Sequence, residues 1–261
     1  MKLSNQVSGR FGNNLFQYLA AKVLQYKLEL NGKKVDYIFN TRIEGSYVVT
    51  DDTYLNVLND VSVIGDNNVY LEGYFQFDEH LIKYKKYIKS IIVDTNYERI
   101  NDRFYVSYLA NTISSFTRRF NDDEVIIHFR LDDFIGDNLV MHPQNYIDMI
   151  NELPKDIKKV IIVVDKIKYS WEVDYLTAII NYLKSREFIY SIESGDNMFN
   201  DFCKLYYSRN FISSNSTYSY LAGLLGDHAS SLCPVNTIYS HQKISKFDEN
   251  SKNIVVRYLT R

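Results

Sequence analysis

Two short apolar runs, Val125-Ile126-Ile127-His128-Phe129 and Lys159-Val160-Ile161-Ile162-Val163-Val164, constrain the fold of this chain more than any other feature. Neither shows the polar–apolar alternation of a strand with one solvated face, so each reads as a strand buried on both sides. The stretches that follow them have helical periodicity. Gln144 to Leu153 follows a helix-starting Pro143, and Val173 to Lys184 follows the second run. The pattern then repeats: Phe188 to Ser191 as strand, Met198 to Ser208 as helix, Asn210 to Ser213 as strand, Tyr218 to Leu225 as helix. Buried strands alternating with helices predict a doubly wound parallel sheet, with ligands at the C-terminal ends of its strands.

The N-terminal half is less regular. A glycine-bearing loop, Gly9 to Asn13, leads into Leu15 to Leu24, whose apolar positions share one helix face. Lys34 to Phe39 reads as a strand, and helical patterns return at Asp78 to Lys89 and Tyr97 to Phe116. Asn40 to Asn68 is polar, rich in Asp, and carries no assignable pattern. The charged segment Thr117 to Asp123 has little to bury and marks a boundary. Two α/β domains facing a cleft are expected, at 1–120 and 121–261.

Composition narrows the function. The 261 residues carry 30 Lys+Arg against 32 Asp+Glu, a net charge of -2, which disfavours a dedicated nucleic-acid binder. Two cysteines, Cys203 and Cys233, cannot form a disulfide framework and suit a reducing compartment. No apolar run approaches the ~20 residues of a membrane span, and Met1 to Gln6 lacks the apolar core of a signal peptide. A cytoplasmic protein without an integral span is expected. The 23 Tyr are read as compositional bias accompanying abundant Asn, Ile and Lys.

Three segments carry chemistry. Gly9-Arg10-Phe11-Gly12-Asn13-Asn14 places two glycines before a helix, which permits close approach of a ligand to backbone. It lacks the Lys-Ser/Thr of a P-loop and the third glycine of a dinucleotide fingerprint, so a plain turn is the competing reading. His128-Phe129-Arg130-Leu131-Asp132-Asp133-Phe134 ends the first strand of the second half. An arginine at a strand end can grip phosphate with two donors, or form a structural salt bridge. Ser213-Ser214-Asn215-Ser216-Thr217 sets four hydroxyls and an amide at a helix start, a neutral anion cradle as well as a helix cap. The five histidines lack zinc-type spacing, and neither Asp-x-Asp nor Gly-x-Ser-x-Gly occurs.

Taken in order, these segments resemble the α-1,2-fucosyltransferases of glycosyltransferase family 11. Gly9 to Tyr18 is similar to that family's Gly-x-Gly-Asn-Gln-Met-Phe-Gln-Tyr pattern, and Leu71-Glu72-Gly73-Tyr74-Phe75-Gln76 to its Gly-Tyr-Phe/Trp-Gln segment. His128 to Phe134 resembles His-x-Arg-Arg-Gly-Asp-Tyr, and Asp201 to Tyr220 resembles the Asn-Ser-Thr-Phe-Ser-Trp-Trp block with its lead-in. The resemblance implies a GT-B fold with an N-terminal acceptor domain and a C-terminal domain for GDP-fucose. It implies inverting, metal-independent transfer of L-fucose from GDP-β-L-fucose, with no cofactor, to a glycan acceptor that is galactose-terminated.

On the same grounds Arg130 is expected to stabilise the diphosphate leaving group, and His128 and Asp133 to shape that site. Ser214, Asn215, Ser216 and Thr217 would cradle the diphosphate, Gly12 and Asn13 would close the site, and Asp201 would recognise guanine. The chain departs from the pattern where Leu131 replaces the second arginine and Asp132 the glycine. Those departures keep two alternatives open: another GDP-sugar as donor, or an inactive relative that binds glycan or nucleotide.

Overall fold

The computed structural model describes residues 1–131, 140–194, 197–234 and 256–258. The chain divides into two compact units, 1–114 and 115–261.

In the first unit a four-stranded parallel sheet has the order β2-β1-β4-β3. Its strands are β1 (Lys2–Asn5), β2 (Asp36–Phe39), β3 (Tyr47–Thr50) and β4 (Val69–Glu72). The 20-residue helix α1 (Phe11–Leu30) links β1 to β2 and is buried along most of its length, including Leu15, Phe16, Leu19, Val23 and Leu24. Helix α2 (Asp51–Asn59) links β3 to β4 and starts with a capping box between Thr50 and Thr53, which satisfies backbone donors that a helix start otherwise leaves open. The region 40–68, unassigned from sequence, thus holds β3, α2 and a short 3-10 turn at Val61–Ile64.

Two helical expectations need correction. Asp78 to Lys89 is broken at Tyr84 into α3 (Asp78–Lys83) and α4 (Lys85–Ile92). Of Tyr97 to Phe116, only α5 (Val106–Ser115) is helical. In 94–104 the side chains claim the backbone donors: Asp94 accepts from the Asn96 N–H, Asn96 from that of Glu98, and Asn101 from those of Arg103 and Phe104. Such local bonds compete with helix formation.

The second unit contains β5 (Glu124–Phe129), α6 (Pro143–Asn151), β6 (Lys159–Val164), α7 (Ser170–Ser185) and β7 (Ile189–Ser194). It continues with α8 (Met198–Tyr207), β8 (Asn210–Ile212), α9 (Thr217–Leu225), β9 (Ser230–Pro234) and β10 (Val256–Tyr258). The sheet order is β10-β9-β8-β5-β6-β7, parallel except for β10, which runs antiparallel to β9. Every residue of β5 is buried, as are Val160 to Val164 of β6, which explains their continuous apolar runs. From β5 the chain first moves outward through β6 and β7, then returns to β8 on the other side of β5 and moves on to β9. The order therefore reverses between β5 and β8. A doubly wound sheet opens its ligand crevice at that place.

Candidate functional site

The ends of β5 and β8 carry the second and third segments singled out from sequence. The backbone of β5 delivers His128 and then Arg130; β8 delivers Ser213 and the hydroxyl run that starts α9. His128 Nδ1 lies 2.9 Å from Ser214 Oγ, and Ser219 Oγ lies 2.9 Å from both Ser213 Oγ and Ser214 Oγ. Ser216 caps α9, its hydroxyl accepting from the Tyr218 N–H at 3.3 Å. Ser213 to Thr217 are all buried, so this is a fixed polar lining rather than a loose loop. The buried hydroxyls of Ser213, Ser214 and Ser216 survive there because each finds a hydrogen-bond partner within the cluster.

His128 is held from below by Tyr146, whose hydroxyl donates to the His128 carbonyl at 3.1 Å. Its ring centroid is 5.6 Å from that of Tyr218. Burial, with a smaller push from Arg130, lowers the His128 pKa to about 3, so the ring is neutral at ordinary pH. Arg130 donates from Nη1 to Asp165 Oδ2 at 2.8 Å. Its side chain is only 17% exposed, against 50% for the carboxylate. Tyr218 feels the same charges: burial raises its phenol, Asp201 and Asp165 raise it further, and Arg130 opposes them.

Beyond Arg130 lies a charged cluster. Lys204, buried on α8, bonds Asp201 Oδ1 at 2.9 Å and lies 3.1 Å from Glu193 Oε2 on β7. Arg118 Nη1 reaches both oxygens of Glu193, at 2.7 and 2.9 Å. Burial would raise the Glu193 pKa, but the bonds from Arg118 and Lys204 outweigh it and hold the carboxyl low. Asp201 is thus tied to a lysine one helical turn away, the (i, i+3) spacing that brings helix neighbours together.

The first unit gathers the other two segments at the C-terminal ends of β1 and β4. Gln17 of α1 is fully buried and spans them: its Oε1 accepts from the Ser8 N–H at 3.1 Å, and its Nε2 donates to the Gly73 carbonyl at 2.9 Å. Gln76 Nε2 donates to Asn13 Oδ1 at 3.1 Å, and the Ser8 and Tyr74 hydroxyls are 3.1 Å apart. Helix α1 starts at Phe11, so Gly12 and Asn13 sit in its first turn rather than in a loop. Gly9 has φ +81, the left-handed backbone that lets the chain turn into the helix.

The structure therefore brings Arg130, His128, Ser214 and Ser216 to one strand-end crevice, with Asn215 and Thr217 buried in the same run. Asp132 and Asp133 lie outside the described residues. Leu131 is 2% exposed and packs into the sheet core with Phe129, Met141 and Tyr146, turned away from its neighbour Arg130. Sequence reasoning gave no site role to Asp165, Glu193, Lys204 or Ser219, although the last two fall within the Asp201 to Tyr220 block. Asp165 carried one usable signal, since it follows the β6 run directly as Arg130 follows that of β5. Among the described residues no group of three or more His, Cys, Asp or Glu is placed to hold a metal ion, and no helix is long and apolar enough to cross a membrane.

No protein-family model matches the chain, and no curated protein matches it. Among solved structures it is similar to a mutant of Arabidopsis thaliana FUT1 in complex with GDP. The identity is 9%, the TM-score is 0.50, and the likeness covers 89% of this chain and 70% of that one. At such identity the likeness speaks to architecture, and the chain has an α/β fold of the GT-B kind.

Proposed function

We propose that this chain is a glycosyltransferase that takes its sugar from a GDP-linked donor, held at the crevice of the second unit, and transfers it to a glycan hydroxyl. The observation that carries the reading is the enclosed arginine Arg130 beside a buried hydroxyl lining at the point where the sheet order reverses. The fold shared with Arabidopsis FUT1, which is seen with GDP, supports GDP as the nucleotide. The resemblance of four sequence blocks to the α-1,2-fucosyltransferases supports L-fucose, an inverting and metal-independent transfer, an α-1,2 bond and a galactose-terminated acceptor. The first unit would take the acceptor side.

The chemistry follows from the residues. As the sugar–phosphate bond breaks, negative charge grows on the β-phosphate, and a guanidinium already in place stabilises that charge most in the transition state. His128, neutral and fixed by Ser214, would shape the same pocket without adding charge. Ser216 and Thr217 would supply neutral donors at the start of α9, where backbone N–H groups also favour an anion, and Ser214 would hold His128 behind them. Asp201 would recognise guanine with a carboxylate whose Oδ1 already accepts from Lys204.

A second reading, another GDP-sugar, is favoured by one observation: Leu131 offers no cation to the site. The test is acceptor-stimulated GDP release from a panel of GDP-sugars, with EDTA present, run beside Arg130→Ala. Release from GDP-fucose that the substitution reduces by about a hundredfold or more, at unchanged melting temperature, is the expected result. Release only from another GDP-sugar would replace fucose. Failure to bind GDP would overturn the transferase reading.

A further inference from the structure

We infer that Asp165 is the positioning residue for Arg130, fixing one orientation of its guanidinium for a β-phosphate before the donor arrives. The inference rests on the donor reading above and adds to it a residue that none of the sequence blocks contains. Its basis is the register of two neighbouring strands. His128 is paired with Val163 and Phe129 with Val164, so the next residues of the two parallel strands, Arg130 and Asp165, emerge side by side at the crevice. Their side chains meet at 2.8 Å through Nη1 and Oδ2. The Asp165 backbone is held too, its carbonyl accepting from the Ser194 hydroxyl of β7 at 3.1 Å.

The two partners differ in exposure, and the difference assigns the roles. Arg130 is enclosed while Asp165 is half open to water. An exposed carboxylate is screened and gains little from the pair as stability. An enclosed, long side chain gains definition from a fixed acceptor, because its rotamers no longer have to be frozen when a ligand binds. A guanidinium has five donors in a rigid fork, so one nitrogen can stay on Asp165 while another edge faces phosphate. Asp165 would therefore act through Arg130 and need not touch the substrate.

The readout is discrimination between GDP and GMP by calorimetry, which reports the β-phosphate contact without requiring turnover. The unmodified protein should prefer GDP, and Arg130→Ala should lose the preference. Asp165→Ala should reduce it by about tenfold, equivalent to roughly 1.4 kcal/mol, with GMP affinity unchanged. Asp165→Asn keeps an acceptor oxygen but not the charge, and should hold the preference at or above its original level. In turnover, Asp165→Ala should lower kcat more than it raises the donor KM. A preference that rises in both variants would make Asp165 a competitor of the phosphate and overturn the positioning role. Equal falls in both, or no change in either, would overturn it as well. If the unmodified protein does not prefer GDP over GMP, the donor reading fails and this inference with it; a preference that Asp165→Ala leaves intact sinks the inference alone.

Discussion

His128 Nδ1 and Ser214 Oγ, 2.9 Å apart, join a strand end to a helix start, and the hydroxyl protons around them can be counted. Ser213 donates to the Ser214 carbonyl at 2.7 Å, so in its pair with Ser219 it must accept. Ser219 also has the Ser214 and Ser216 carbonyls at 3.4 and 3.3 Å, but the 2.9 Å contact to Ser213 is the shorter; with its proton there, Ser214 donates to Ser219 across their own 2.9 Å contact. The proton between His128 and Ser214 is left to come from Nδ1. The expected state is a neutral imidazole protonated at Nδ1, with the Nε2 lone pair available as an acceptor. Nitrogen-15 NMR of ring-labelled protein checks this. A proton on Nε2 at neutral pH would show that the hydroxyl chain runs the other way.

Acid should destabilise the protein through its buried histidines. Burial lowers the pKa of both His128 and His80 to about 3, with Arg130 adding to the shift at His128. The unfolded chain titrates these groups near 6.5. Their folded values are depressed, so below about pH 6.5 the unfolded state binds protons that the folded state does not. The stability present above that pH is lost as pH falls towards the folded values. Each histidine contributes a slope of up to about 1.4 kcal/mol per pH unit. Urea melts between pH 7 and pH 4.5 should show the loss. His80→Phe, at a site packed against Tyr54 and Phe77, should flatten it. An unchanged slope in that variant would mean His80 is protonated in the fold.

The second unit was legible because parallel strands buried on both faces write themselves as apolar runs, and β5, β6 and β8 lie where those runs fall. The first unit was legible only in part: α1 and β2 lie where the helical and strand patterns fall, but β1, β3, α2 and β4 were not seen. β1 is the tetrapeptide Lys-Leu-Ser-Asn, and its buried Ser4 and Asn5 look like surface residues. They are tolerated because Ser4 Oγ accepts from the Thr41 N–H and Asn5 Oδ1 from the Tyr37 hydroxyl, partners more than thirty positions away. Arg130 and the serine run were visible as residue types at strand ends. Asp165 also stood at a strand end, but its pairing with Arg130, like the roles of Glu193 and Lys204, depends on strand register and on a helix face shared across distant segments.

Leu131→Arg shows why a sequence departure needs its structural setting. Read from sequence, the substitution restores a cation that the resembling family carries and should tighten the donor. In the structure the side chain is in the core beside Phe129 and Tyr146, where an unpaired guanidinium costs several kcal/mol. The expected outcome is a loss of about 3 kcal/mol or more in stability, with weakened GDP binding following from it. A variant that melts normally and binds GDP more tightly would show that residue 131 can turn towards the crevice.

Gly73 and Asp51 should prove coupled. A Cβ added at Gly73 would lie 2.6, 2.7 and 2.8 Å from Oδ2, Cγ and Oδ1 of Asp51. That carboxylate has a task already, accepting from the Tyr74 and Phe75 N–H groups at 3.1 and 2.6 Å. These bonds hold Phe75 at φ +53, a left-handed conformation that costs an aromatic residue about 1–2 kcal/mol. Gly73→Ala forces the carboxylate away and should cost about 1–3 kcal/mol; Asp51→Ala removes the same bonds directly. In the double variant the methyl meets no carboxylate, so the loss should be smaller than the sum of the two. Denaturant melts of the four proteins measure the difference. Additivity to within about 0.5 kcal/mol would mean that the loop absorbs the methyl without disturbing Asp51.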